Sequence, residues 1–364
     1  MKSHTLTRRR IVLGTATLAA TGLLSATRAI GQGLGVCGVC YDTGTNYMAG
    51  PLSRPTWTVE AVRRDMAAIR QDLHANAVAV FGTDLGRLAQ GATAAAEAGL
   101  QVWLQPRLME ATQPAVIEHL AEAARVAETL RAGGAMVTLN LGCELTLFTA
   151  GLAPGTTMFE RMEAFGTLSA AGFGTMIAAL DAHLARALAA ARSRFKGPIT
   201  YSAGPWEQID WSGFDLVGLD HYRDAGNRAT YAAELRDAGW HGKPVIVTEF
   251  GCCTYEGAQD AGGDGWSIVD WTGPAPRLKG RPVRSEQVQA DTIADLLDLF
   301  PQAGVAGAFV YQFIDLGSPH SPDPQADLDT ASYAIVRVAA DDPDGMAWQP
   351  KQAFHAIADR YGRS

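Results

Sequence analysis

The sequence predicts an α/β protein: a closed (β/α)8 TIM barrel with long loops on its C-terminal face. Three observations carry this. Short apolar runs alternate with amphipathic stretches along the 364 residues, the pattern of βαβ units and a parallel sheet. Eight such runs occur, the number that closes a barrel. Two of them end in a glutamate, Glu144 and Glu249, and the C-terminal ends of barrel strands are where this fold places its chemistry.

The elements follow in order. Leu34–Tyr41 is the first expected strand, followed by a helix over Val59–Leu73. Ala77–Phe81 and Asp84–Ala98 form the second unit, Leu100–Gln105 and Pro114–Arg131 the third. Met136–Leu141 is the fourth strand, its helix delayed to Thr175–Arg194. Pro198–Ser202 and Phe214–Leu219 are the fifth and sixth strands, and the stretch between them is too short for a full helix. Thr230–Ala238 is the sixth helix. Pro244–Thr248, an apolar run of the kind buried on both faces, is the seventh strand, and Ser285–Leu299 its helix. Val305–Phe313 closes the barrel and Lys351–Tyr361 ends the chain. The loops at 41–56, 145–170, 251–283 and 314–348 all follow strands, so they should wall a cleft on one face.

Composition bounds the partners. The chain is 47% hydrophobic and 19% charged, with a net charge of −8; that balance argues against nucleic acid. Residues 1–29 read as a twin-arginine export signal. Arg8, Arg9 and Arg10 precede a mildly apolar stretch to about Leu24, and Ser25-Ala26-Thr27-Arg28-Ala29 offers small residues for cleavage. The expected location is periplasmic or secreted, with residues 30–364 as one barrel domain. The apolar stretch is too short for a lasting membrane anchor. Cys37 and Cys40 have the spacing of half a zinc site, but a strand sends them to opposite faces, so they are expected to be buried barrel residues.

A carboxylate at a strand tip is costly to bury and adds nothing to packing. Two of them in one barrel suit acid/base cleavage of a glycosidic bond. Thr248-Glu249-Phe250-Gly251 and Glu144, after the seventh and fourth strands, resemble the clan A retaining glycoside hydrolases, the 4/7 superfamily. Asp220-His221-Tyr222 after strand six, Tyr311-Gln312-Phe313 at strand eight, Ala331–Val336 and the tail Gln349-Pro350-Lys351-Gln352-Ala353-Phe354 also fit that pattern. The resemblance implies Glu144 as acid/base and Glu249 as nucleophile, with Tyr222 touching the nucleophile. It is to a divergent member. Where the clan usually has an Asn that binds the sugar 2-hydroxyl, this chain has Cys143, and Asn140 stands four residues before Glu144.

The other expected contacts to an oligo- or polysaccharide are Tyr41, Asp42, Arg107, Asn140, His221, Trp206, Trp266 and Tyr311. Asp42 competes with a turn-capping role before Thr43-Gly44, as Asp84 does with capping the following helix. Arg107 and Tyr222 suit an ionised Glu249; Cys143 and Leu145 give Glu144 weakly polar neighbours. No cofactor and no metal are expected. Two alternatives stand beside the hydrolase: a catalytically silent carbohydrate-binding barrel, and a metallohydrolase using His221 and His320 with Asp220 or Asp315.

Overall fold

The computed structural model describes residues 33–47 and 50–363; the expected export signal lies outside them. Eight parallel strands form one ring: β1 (Val36–Asp42), β2 (Ala77–Gly82), β3 (Gln101–Pro106), β4 (Val137–Cys143), β5 (Ile199–Ala203), β6 (Val217–Asp220), β7 (Val245–Phe250) and β8 (Val305–Val310). Each pairs with its sequence neighbour, and β8 pairs with β1 to close the barrel. The outer helices are α1 (Val59–Gln71), α2 (Leu85–Glu97), α3 (Gln113–Ala132), α4 (Ala170–Arg192), α5 (Tyr231–Ala238), α6 (Glu286–Leu299) and α7 (Gln352–Tyr361). Only a single 3-10 turn, Trp211–Gly213, stands between β5 and β6. Among the described residues no helix is long and apolar enough to cross a membrane.

Caps explain the helix boundaries. The Thr58 hydroxyl accepts from the Ala61 N–H, and Asp84 from the Arg87 N–H, which satisfies donors that the first turn leaves unpaired. Asp84 is therefore a capping residue. α4 starts earlier than its apolar pattern because Ser169 caps it, accepting from the Gly172 N–H. The expected strand at Ala331–Val336 is corrected: a 3-10 turn occupies Leu328–Ala331, and only Val336–Arg337 pairs, antiparallel with Gln349–Pro350. The Ile335 N–H instead donates to the Gln312 carbonyl, which ties this segment to the end of β8.

Period-two geometry divides the strand side chains between two cores. Val36, Cys40, Ala77, Phe81, Trp103, Ile246 and Phe309 fill the barrel interior. Cys37, Val39 and Tyr41 face the helices. The two cysteines do lie on opposite faces. Trp103 and Phe309 are the bulk of the interior, with ring centroids 4.8 Å apart. They fit because Gly38 faces them: a Cβ there would lie 2.2 Å from a Phe309 ring carbon.

Asp65 on α1 anchors the outer layer. It is fully buried, accepts from Tyr41 Oη (2.8 Å), Trp348 Nε1 (2.9 Å) and Arg64 (2.6 Å), and lies 3.7 Å from the buried Arg54 guanidinium. One carboxylate thus joins β1, α1 and the segment after β8. Tyr41 is accordingly corrected from a sugar contact to a structural residue: it points outward, and its hydroxyl is already used. Asp65→Asn should cost about 3–5 kcal/mol, because it leaves Arg54 buried without its counter-charge. Trp348→Phe should cost only about 1 kcal/mol, the value of one hydrogen bond. Denaturant melts of the two variants check this order.

Candidate active site

β4 ends at Cys143, and the next residue turns the chain. Glu144 takes a left-handed conformation (φ 43°, ψ 45°), its N–H donating to the Ser202 carbonyl on β5 at 3.0 Å. A non-glycine residue pays roughly 1–2 kcal/mol for this geometry, so the surroundings must enforce it. They do. The Leu145 N–H donates to Tyr201 Oη (2.7 Å). The buried Glu207 carboxylate accepts from the Thr146 N–H (3.0 Å) and hydroxyl (2.6 Å), Tyr201 Oη (2.8 Å) and the Gly204 N–H (3.1 Å). Glu207 was not singled out in the sequence; its one signal is a glutamate in the unusually short connection after β5. Strain of this kind, where it occurs, favours a functional position.

Glu249 ends β7 on the same face. Arg107, just past β3, makes an ion pair with its Oε1, and Tyr222 Oη lies 3.4 Å from its Oε2. Arg107 is itself aimed from three sides. Its Nε donates to Gln105 (2.8 Å), its Nη1 donates to Tyr47 Oη (2.9 Å), and its guanidinium lies 3.8 Å from the Phe81 ring centroid. Tyr311 stacks on Phe81 at 5.9 Å and lies 3.4 Å from Tyr47 Oη. Tyr47 and Gln105 join the site without having been legible in the sequence, since neither belongs to a motif.

The two glutamates differ in environment. Burial, then the charges of Glu249 and Glu207, push the Glu144 carboxyl well above the usual range, against the pull of Arg107. Asp220, at the tip of β6, is pushed well up by burial and then by Glu249 and Glu144. Burial also raises the Cys40 and Cys143 thiols, which stay neutral. The mouth therefore holds one glutamate in contact with a cation and a second that favours its proton.

The structure brings Glu144, Glu249, Arg107, Tyr222 and Tyr311 to one mouth, and removes others. Asp42 caps a turn: its Oδ1 accepts from the Gly44 N–H (2.8 Å) and Thr45 hydroxyl (3.1 Å), and Ser53 holds its other oxygen. Asn140 lies inside the barrel, donating to Ser202 Oγ (2.7 Å) and accepting from the Gly142 N–H (3.2 Å), so both ends of its amide are spent. His221 turns away, stacked on Tyr231 at 4.6 Å with Nε2 2.9 Å from Glu234. Trp206 is anchored to the Glu144 turn, donating to Thr146 Oγ1 at 2.9 Å. Trp266 lies 6.4 Å from Phe159, where the loops after β4 and β7 meet. His320 pairs with Asp327 (2.9 Å), in a cluster balanced by Arg284 and Lys351; it does not meet His221, and the metallohydrolase arrangement is not formed.

No protein-family model matches the chain, and no curated protein matches its sequence. Its fold has clear counterparts among solved structures. A GH113 β-1,4-mannanase complex is similar over 92% of this chain and 100% of that one, at 14% identity and a TM-score of 0.58. The GH113 β-mannanase of Alicyclobacillus acidocaldarius, in complex with ManMIm, is similar over 92% and 99%, at 17% identity and 0.56. The family 1 β-glucosidase of Thermotoga maritima is similar over 90% and 97%, at 12% identity and 0.55. The shared feature is the (β/α)8 barrel of these glycoside hydrolases.

The Glu144 environment has a consequence for stability. A carboxyl whose pKa is raised on folding contributes fully below its unfolded pKa, and the contribution is lost as pH rises through the folded value. Wild-type protein should thus be more stable near pH 5 than near pH 8, as far as Glu144 is concerned. Glu144→Gln, which cannot ionise, should melt higher than wild type, and the gap should widen from about pH 5 to about pH 8. Thermal melts of both proteins across that range test it; a gap independent of pH would mean that Glu144 is not held protonated.

Proposed function

We propose that this protein is an exported glycoside hydrolase that cleaves O-glycosidic bonds with retention of configuration. One observation carries the reading: two strand-tip glutamates share one barrel mouth, and among the described residues only Glu249 of the two is in contact with a cation. The likeness of the fold to glycoside hydrolases supports it. The GH113 mannanase neighbours make β-1,4-linked mannan the first polysaccharide to try.

In the first half-reaction a Glu249 oxygen attacks the anomeric carbon while Glu144 gives its proton to the departing oxygen. Arg107 pairs with Glu249 and Tyr222 Oη lies beside its other oxygen, so the two fix its orientation until the bond forms. In the second half-reaction water attacks the glycosyl-enzyme, Glu144 takes the water's proton, and Glu249 leaves as a carboxylate. Such double displacement needs carboxyl groups about 5–5.5 Å apart.

Glu249→Ala should abolish turnover of mannan oligosaccharides and nitrophenyl glycosides and should also lower the melting temperature, because it leaves the buried Arg107 without its counter-charge. Glu144→Ala should lose about 10²–10⁴-fold on substrates with poor leaving groups and far less on activated aryl glycosides, which need no protonation. NMR of the first product should show the substrate's own anomeric configuration; an inverted product would place the enzyme in the inverting class. Replacing Arg8, Arg9 and Arg10 with Lys should trap precursor in the cytoplasm, and normal export of that variant would remove the twin-arginine reading.

A further inference from the structure

The barrel mouth holds one more carboxylate than a double displacement uses. Asp220 ends β6 in direct register with Glu249 on β7. It is 1% exposed. Its Oδ1 accepts from Thr248 Oγ1 at 2.7 Å. Its Oδ2 is buried and has no hydrogen-bond partner among the described residues. An oxygen of Asp220, an oxygen of Glu249 and Cys143 Sγ all lie within 4.8 Å of one another.

The charges around Asp220 do not balance if it is ionised. Cys40 on β1 and Cys143 on β4 are neutral. Glu144, just past β4, favours its proton, and Glu249 on β7 is paired with Arg107. The cation of the cluster, Arg107, is engaged by Glu249, Gln105 and Tyr47. An ionised Asp220 would be a second buried negative charge beside Glu249, with one oxygen receiving no donor, the costliest state for a buried carboxylate. Either a proton or a cation must complete the cluster. A divalent cation would have to sit against the Arg107 guanidinium, with which it shares Glu249. A proton meets no such repulsion.

We propose that Asp220 carries a proton at neutral pH and acts as a positioning residue, a neutral donor beside Glu249. The proton sits on a carboxyl group that has one oxygen within 4.8 Å of a Glu249 oxygen and of the Cys143 sulfur. It adds no second negative charge beside Glu249, and it does not move during the reaction. The upward shift of Asp220, caused by burial and then by Glu249 and Glu144, agrees with this arrangement.

The protonation state can be read without any substrate, so its test is separate from that of the glycosidase reading. Infrared difference spectra of wild type minus Asp220→Asn, at about pH 7, should show a protonated carboxyl C=O band that the variant lacks; its absence overturns the proposal. In wild type alone, a ¹³C-labelled Asp side-chain resonance should stay in the acid form from about pH 5 to about pH 8. This keeps the test valid if the variant folds poorly, and a full set of titrated Asp resonances overturns the proposal. Saturable Zn²⁺ binding by calorimetry that is lost in Asp220→Asn would also overturn it, since a metal requires the ionised carboxylate.

The positioning role rests on the glycosidase reading. Given turnover, Asp220→Asn keeps a neutral donor and should lose no more than about 5-fold in kcat/KM, while Asp220→Ala should lose about 100-fold. The alkaline limb of the Asn variant should coincide with that of wild type. If Asp220 were ionised, removing its charge would lower the Glu144 limb by about one pH unit, and that result would refute the proposal. Absence of turnover in wild type, with the infrared band present, would instead remove the glycosidase reading and leave the proton assignment standing.

Discussion

The ion pair between Arg107 and Glu249 is the constraint on which the rest of the mouth depends. It joins β3 to β7 across the barrel, and both partners are largely withdrawn from solvent. A buried pair of this kind returns little net stability. Its value lies in asymmetry. With one guanidinium among three carboxyl groups, the contact gives Glu249 a counter-charge, while burial and neighbouring carboxylates push Glu144 and Asp220 upward. The aromatic shelf of Phe81 and Tyr311 and the clamps from Gln105 and Tyr47 hold the arginine in one pose. The chemical difference between two identical side chains therefore follows from where one cation is fixed.

The Glu144 side is organised by shape instead. Glu144 occupies a left-handed turn that Tyr201 and Glu207 hold from below. Trp206 seals the same turn through Thr146, and the fully buried Arg161 ties the following loop to the Leu147 and Gly155 carbonyls and to Glu110. The long connection after β4 is thus fixed at several points near the strand tip, which holds the Glu144 carboxyl in one place.

Much of this was legible in the sequence, and the exceptions have physical reasons. Strand and helix order could be read because periodicity reports burial, and the barrel imposes one periodicity per element. Glu144, Glu249 and Arg107 stood out because charge at the end of an apolar run has no packing purpose. Tyr41, Asn140 and His221 looked equivalent but face elsewhere. Tyr41 is one step out of phase with the inward residues of β1. Asn140 sits one layer below the mouth and spends its amide inside the barrel. His221 finds Tyr231 and Glu234 on α5. Tyr47, Gln105 and Glu207 were invisible because their roles arise from contacts between strands distant in sequence, which local pattern does not encode.

The thiols of Cys40, Cys143, Cys252 and Cys253 are all buried. They fall into two places: Cys40 and Cys143 among the carboxylates of the mouth, Cys252 and Cys253 behind β7 near Gln289 of α6 and Tyr333. An alkylating reagent reaches a buried sulfur only when its surroundings open, so labelling rates report local opening free energies. With Cys37, also buried on the outer face of β1, the chain contains three native clocks, one for the mouth, one for the β7–α6 flank and one for the outer layer. Mass spectrometry of timed alkylation would show whether the region around the carboxylates breathes separately from the wall that supports it, with no substitution in the sequence.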